Sequence, residues 1–288
     1  MRKKITAAAR SVGNACLVLL AEPCALFVLA GLSIKMFEGL FGFHAAMRAT
    51  GETVHGFGLL ALEFSRPWSS IFYHLGLVFL LSGLLGTDES LSQKLLRETR
   101  GRWIMIRLLT ILSVCIGYFA LVQFLLLLIS GGWNFSGTWD RLLASMASGY
   151  SPTDFTYDAA PLIIYGFSPW TAWAYTSIIA ICVWFILGCL MFGMAQLWGQ
   201  NAAIMLGGFL CIWDYFVYWS LPGSFYLFSP LSWTKLSIIG DRFASGGVSL
   251  GYVKTTIPAL LAISLAFAFL SAYLRKELDY SRREGSRS

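Results

Sequence analysis

From Ile257 to Leu274 the chain carries no charged side chain, and it then meets Arg275-Lys276. An apolar helix of about 18–20 residues spans a ~30 Å hydrocarbon core at ~1.5 Å rise per residue. Five further stretches are long and predominantly apolar, at about 15–34, 68–86, 103–129, 171–194 and 202–221. The pattern therefore predicts an all-α, polytopic membrane protein with six transmembrane helices in a single domain over 1–280, followed by a polar tail, 281–288. The first span has two readings, because Glu22-Pro23 interrupts it. Either the span covers 15–34, or residues 5–21 lie at the interface and the span runs from Pro23 to Phe43. The second reading places Lys35 and Glu38 inside the span, one turn apart.

The polar segments set the orientation. With both termini cytoplasmic, the inner segments hold fourteen Lys and Arg and the outer segments seven, among them Lys35, Arg66 and Lys235. Cytoplasmic loops carry the excess of positive charge, so this topology is favoured, in a plasma membrane. Trp68, Trp103, Trp170, Trp173, Trp198 and Trp219 fall at the predicted interfaces, where amphipathic rings prefer to sit. Three longer connections lie outside, at about 35–67, 130–170 and 222–256. The second contains Asp140-Arg-Leu-Leu-Ala-Ser-Met, a candidate helix on the membrane surface, and Asn134-Phe-Ser, a formal glycosylation triplet.

Composition narrows the class. Of 288 residues, 57% are hydrophobic and 12% charged, with a mean hydropathy of +0.68. Soluble domains carry roughly 25% charged residues, so an ordinary globular enzyme is excluded. The net charge of +6 does not indicate nucleic acid, because the cations sit beside apolar spans and not on one polar face. The six cysteines (Cys16, Cys24, Cys115, Cys182, Cys189, Cys211) lie in or beside apolar stretches without metal-ligand spacing, and read as small buried hydrophobes. No metal site is expected. Met1-Arg-Lys-Lys resembles a signal-peptide start, but no A-x-A-like cleavage site follows a short apolar h-region, which favours an uncleaved first span.

One inner loop has substance. Thr87 or Asp88 is placed to cap a helix over about 88–100, with Asp88 and Glu89 in its first turn and Gly101 after its basic end. Leu91, Leu95 and Leu96 give it an apolar stripe, suited either to the bilayer or to a partner's groove. The bland alternative is a snorkelling connector.

Taken with the basic N-terminal segment, the long outer loop 35–67, the passage Leu84-Leu-Gly-Thr-Asp-Glu with Lys94-Leu-Leu-Arg and Gly101-Arg-Trp, and the basic tail Arg275-Lys276-Glu277-Leu278-Asp279, the chain resembles the permease subunits of ATP-binding-cassette exporters of the second, six-helix type. It departs from the family's glycine-threonine turn, reading Glu89-Ser90-Leu91 there. The resemblance implies that residues 88–100 form a coupling helix docking on a nucleotide-binding ATPase subunit through Asp88, Glu89, Leu91, Lys94, Leu95, Leu96, Arg97 and Glu98. No G-x-x-x-x-G-K-[ST] motif occurs, so this chain is expected to bind no cofactor, with ATP and Mg held by the partner. A six-span subunit does not readily enclose a pathway alone, so a second copy or paralogue is expected, within the lipid bilayer and without nucleic acid.

Intramembrane polar groups supply the remaining chemistry. Glu22 and Asp214 fall within the proposed spans, where an Asp costs at least ~2.5 kcal/mol at the bilayer centre. Glu22 becomes a headgroup-level charge if the first span starts late. Asp214 lies about eight residues from the outer end of its span, too deep for so short a side chain to snorkel, and needs a partner such as His74 or a neighbouring Tyr or Trp. It serves either a hydrogen bond between helices or substrate contact, and Trp213, Tyr215, Tyr218 and Trp219 line either a pathway or a packing surface. Only three histidines exist, and His-Glu-x-x-His does not occur, which leaves no catalytic assignment. His44, Glu52 and His55 on the outer loop have no diagnostic spacing. The competing classes are an ion-coupled carrier or channel using Asp214 and a membrane enzyme with an outer-loop site.

Overall fold

The computed structural model of the chain describes residues 13, 23–52, 54, 56–85, 100–131, 135–148, 160–239 and 247–285, with side chains through Leu274 apart from those of 24 and 160. Among the described residues the order is α1 (Pro23–Thr50), α2 (Gly58–Ser65), α3 (Pro67–Leu85), α4 (Arg100–Ser130), α5 (Arg141–Ala147), α6 (Ala160–Gly166), α7 (Pro169–Trp198), α8 (Gln200–Ser220), three short 3₁₀ turns between Gly223 and Ile238, and α9 (Leu250–Gly285). Six of these, α1, α3, α4, α7, α8 and α9, are long and apolar enough to cross a membrane. The protein is an all-α polytopic membrane protein.

Local chemistry explains the helix starts. Pro23, Pro67 and Pro169 each open a helix, where the missing N–H has no intrahelical partner to lose. Ser168 caps α7 by accepting the Thr171 N–H at 3.3 Å. Gly199 alone separates α7 from α8, at φ +90°, a region that a side chain would strain. The six spans therefore alternate. The ends of α1, α4 and α8 lie with the starts of α3, α7 and α9 at one end, called here the loop-rich end, and the end of α3, the start of α4 and Gly199 lie at the other.

The core is built around α7, which packs against α9, α8, α4, α2 and α3. With no water to expel between helices in lipid, close packing and small residues carry the association. A Cβ at Gly193 would overlap the Phe267 ring of α9, so the backbone of α7 approaches α9 only because this position is glycine. Trp184 lies at the centre of an aromatic cluster, with ring centroids 5.1 Å from Tyr118, 5.8 Å from Phe64 and 6.2 Å from Phe119.

Two boundaries differ from the sequence expectation. Helix α1 runs beyond residue 34 to Thr50, so its 28 residues measure about 42 Å at ~1.5 Å each, longer than a ~30 Å core. Lys35 and Glu38 fall inside it and pair at 2.8 Å, so together they interrupt the helix less than two separate charges. His44 consequently lies on a helix and not in a loop, Glu52 just follows it, and His55 is outside the described residues. Helix α9 starts at Leu250, a full two turns before Ile257. The predicted surface helix after Asp140 is α5, which packs on α6.

Candidate functional site

Between α8 and α9 the chain does not stay outside the bundle. From Ser229 to Ile239 it folds back against α7, α8 and α2, with Leu231, Ser232, Trp233, Thr234, Lys235 and Leu236 all buried. Irregular backbone is tolerated at such depth only where protein satisfies it. Here the 3₁₀ turns close their own bonds (Ser232 N to Ser229 O and Lys235 N to Ser232 O, both 3.0 Å), and Ser237 N donates to Ser65 Oγ of α2 at 3.3 Å. Trp233 Nε1 donates to Tyr226 O at 2.7 Å, tying the stretch to the turn before it. Burial pushes the Tyr226 phenol above its ordinary pKa, with Tyr218 and the Asp214 charge acting in the same direction.

At the bottom of this stretch is an ion pair. Lys235 Nζ donates to both Asp214 oxygens, at 2.6 and 2.7 Å, and the two side chains are 0% and 1% exposed. Asp214 is six residues from the end of α8, about 9 Å down its axis at ~1.5 Å per residue. Ser232 Oγ donates to Asp214 Oδ1 and lies 2.8 Å from Ser229 Oγ. The carboxylate thus accepts from an ammonium twice and a hydroxyl once. Charge-assisted bonds of this kind offset the desolvation of two ions that would otherwise be prohibitive.

His74 of α3 completes the cluster. It is fully buried, with Nε2 4.0 Å from Asp214 Oδ2, 3.1 Å from Ser70 Oγ and 3.4 Å from Thr234 Oγ1. Its other nitrogen, Nδ1, accepts the Trp184 indole N–H at 2.9 Å. A serine, a histidine and an aspartate in one cluster invite comparison with a hydrolytic triad, but the geometry is wrong for one. In a triad the aspartate accepts from Nδ1, leaving Nε2 bare to take the serine proton. Here Nδ1 is the acceptor of an indole, which can only donate, and Asp214 and Ser70 share the Nε2 edge. Nε2 therefore carries the proton, and Ser70 has no base.

A second buried carboxylate lies toward the loop-rich end. Glu63 of α2 is 0% exposed and receives Arg66 Nη1 at 3.2 Å and the Tyr73 hydroxyl at 3.4 Å. Arg66 Nη1 also donates to Gly39 O of α1 at 3.0 Å, and Tyr118 OH of α4 to Tyr73 O at 2.8 Å. Polar side chains thus join α1, α2, α3 and α4 at one level and α3, α7, α8 and the folded-back stretch at the next.

At the opposite end, two side chains hold the last carbonyls of α3. Gln200 Nε2 of α8 donates to Ser82 O at 2.8 Å, and Arg107 Nη1 of α4 to Leu84 O at 3.3 Å. These bonds occupy acceptors that a helix end leaves open.

The sequence-predicted residues divide accordingly. Asp214 and His74 come together, but the first partner of Asp214 is Lys235, which the sequence placed among outer-loop cations. Glu22 and the candidate docking residues Asp88, Glu89, Leu91, Lys94, Leu95, Leu96, Arg97 and Glu98 lie outside the described residues. Trp213, Tyr215 and Tyr218 are half-buried on α8 and Trp219 is exposed, with Tyr215 4.8 Å from the Trp68 ring of α3. Cys115, Cys189 and Cys211 are buried free thiols. Among the described residues no group of three His, Cys, Asp or Glu could hold a metal ion. Comparison with protein families, curated proteins and solved structures finds no match to this chain.

Proposed function

We propose that this chain is the membrane-spanning permease subunit of an ATP-binding-cassette exporter, moving a peptide, lipid-like or hydrophobic compound with energy from a separate nucleotide-binding subunit. In this reading the loop-rich end faces outward, both termini are cytoplasmic in the plasma membrane, and two permease subunits enclose the pathway. Of the seven cations assigned to the loop-rich end, Lys35, Arg66 and Lys235 are each paired with a carboxylate, which deepens the charge asymmetry that supports this orientation.

The observation that carries the reading is the anchoring of α3 beside the 86–99 connection. With Ser82 and Leu84 carbonyls held by α8 and α4, a push on that connection is passed to three spans at once. A rigid lever of this kind suits a subunit driven by a partner on its cytoplasmic face. The competing reading, an ion-coupled carrier, rests on Asp214, and its neutralisation by Lys235 weighs against a free carboxylate that binds and releases ions. The test is the double substitution of Leu95 and Leu96 by Ala. Membrane insertion should persist while association with the ATPase and its coupling to transport are lost; unchanged assembly would contradict the proposal. Transport that persists in ATP-depleted vesicles and follows a proton gradient would favour the carrier.

A further inference from the structure

We infer that Trp184 is a positioning residue that fixes His74 as a single tautomer, so that the polar clamp on the 229–239 stretch keeps a constant charge. The inference stands on the hydrogen-bond geometry and does not depend on the transport reading.

The bond from Trp184 Nε1 to His74 Nδ1 has one chemically allowed direction. Indole nitrogen is a donor without an acceptor lone pair, so at 2.9 Å the imidazole Nδ1 must be bare. The neutral ring then has its proton on Nε2, and that edge meets acceptors: Ser70 Oγ at 3.1 Å, Thr234 Oγ1 at 3.4 Å and Asp214 Oδ2 at 4.0 Å. Thr234 spends its own proton on Leu231 O at 2.8 Å and is left to accept. A second proton on the ring would point at the Trp184 N–H, two donors facing each other in a buried site.

Every element around the ring agrees with this assignment. From α8 it faces Asp214, from the folded-back stretch Lys235 and Thr234, and on its own helix Ser70. From α7 it faces Trp184, which is backed by Tyr118 of α4 at a ring distance of 5.1 Å. Asp214 and Lys235 balance each other, so the imidazole is needed as a donor and not as a charge. A clamp built this way does not respond to external pH, although it contains the one residue type that ordinarily does.

The chain has only three histidines, which makes the test direct. Full-length protein labelled with ¹⁵N-histidine, with His44 and His55 replaced by Gln, is reconstituted in nanodiscs and its ring nitrogens recorded from about pH 5 to pH 8. The expected spectrum has one protonated and one bare nitrogen, with the proton on Nε2 at every pH. Trp184→Phe removes the donor and should lose that single pattern, giving a mixture of tautomers or a doubly protonated ring at the acid end. A wild-type ring protonated on Nδ1, or doubly protonated near neutrality, would overturn the inference, as would a folded Trp184→Phe protein with an unchanged spectrum. If Trp184→Phe does not fold, the wild-type spectrum decides alone.

Discussion

Neutralising one member of the Asp214–Lys235 pair should cost far more than removing both. In Asp214→Asn the Lys235 ammonium stays at 0% exposure with no counter-charge, and in Lys235→Met the carboxylate is stranded in the same way. Removing one partner of a buried pair costs ~3–5 kcal/mol, because the remaining charge is left uncompensated. Asp214→Asn with Lys235→Met leaves no charge behind. The Asn oxygen still accepts from Ser232, and Met fills most of the lysine stem, so what is lost is the pair's own modest net stability. Replacing a buried pair by neutral groups of similar volume is often neutral or better. The double variant should therefore lose no more than about 2 kcal/mol, a coupling of several kcal/mol in the cycle. The assay is reversible unfolding of the full chain in mixed micelles for all four proteins. A double variant as unstable as the sum of the singles would refute the pairing, and so would two singles within ~0.5 kcal/mol of wild type.

Other consequences are local. Gly193→Ala should destabilise by roughly 1–3 kcal/mol, because the new methyl meets the Phe267 ring; adding Phe267→Leu should recover part of it, as measured in the same unfolding assay. Gly199→Ala places a Cβ at φ +90° in the only residue between α7 and α8, and should lower the unfolding midpoint where Gln200→Ala at a helical position does so through lost bonding to Ser82 instead. Lys35→Ala leaves the Glu38 carboxylate unpaired inside a span and should lower stability, and Lys35→Ala with Glu38→Ala should recover part of the loss, as read in the same unfolding assay. Neither this pair's contribution nor that of Asp214–Lys235 should move with added salt.

What the sequence reveals follows how continuous each signal is. Helix α7 is legible because an apolar run without charge lies between Ser168-Pro169 and Gly199, and each of those residues has a defined role at a helix end. Asp214 is legible as a problem, since a short carboxylate in a span demands a partner. Lys235 is not legible as the answer. A lysine in a stretch with Pro230 and several serines reads as loop, and only three-dimensional proximity distinguishes a cation facing water from one facing Asp214. A hint was present in Leu231-Ser-Trp-Thr-Lys-Leu-Ser-Ile-Ile, whose large apolar residues are too many for a solvated connection. Helix α2 stays hidden for a different reason, because eight residues are too few for a span and Glu63 interrupts its apolar pattern. The end of α1 is obscured by Lys35 and Glu38, whose i,i+3 pairing is invisible to a hydropathy window.

The most direct test of the transport account is purification of a tagged copy of this chain from its native membrane in mild detergent. The account predicts a stable complex containing a subunit with a phosphate-binding motif, hydrolysing ATP, and losing that subunit when Leu95 and Leu96 are both replaced. A chain that purifies without any such subunit, and whose vesicles still move solute after ATP is exhausted, would contradict it.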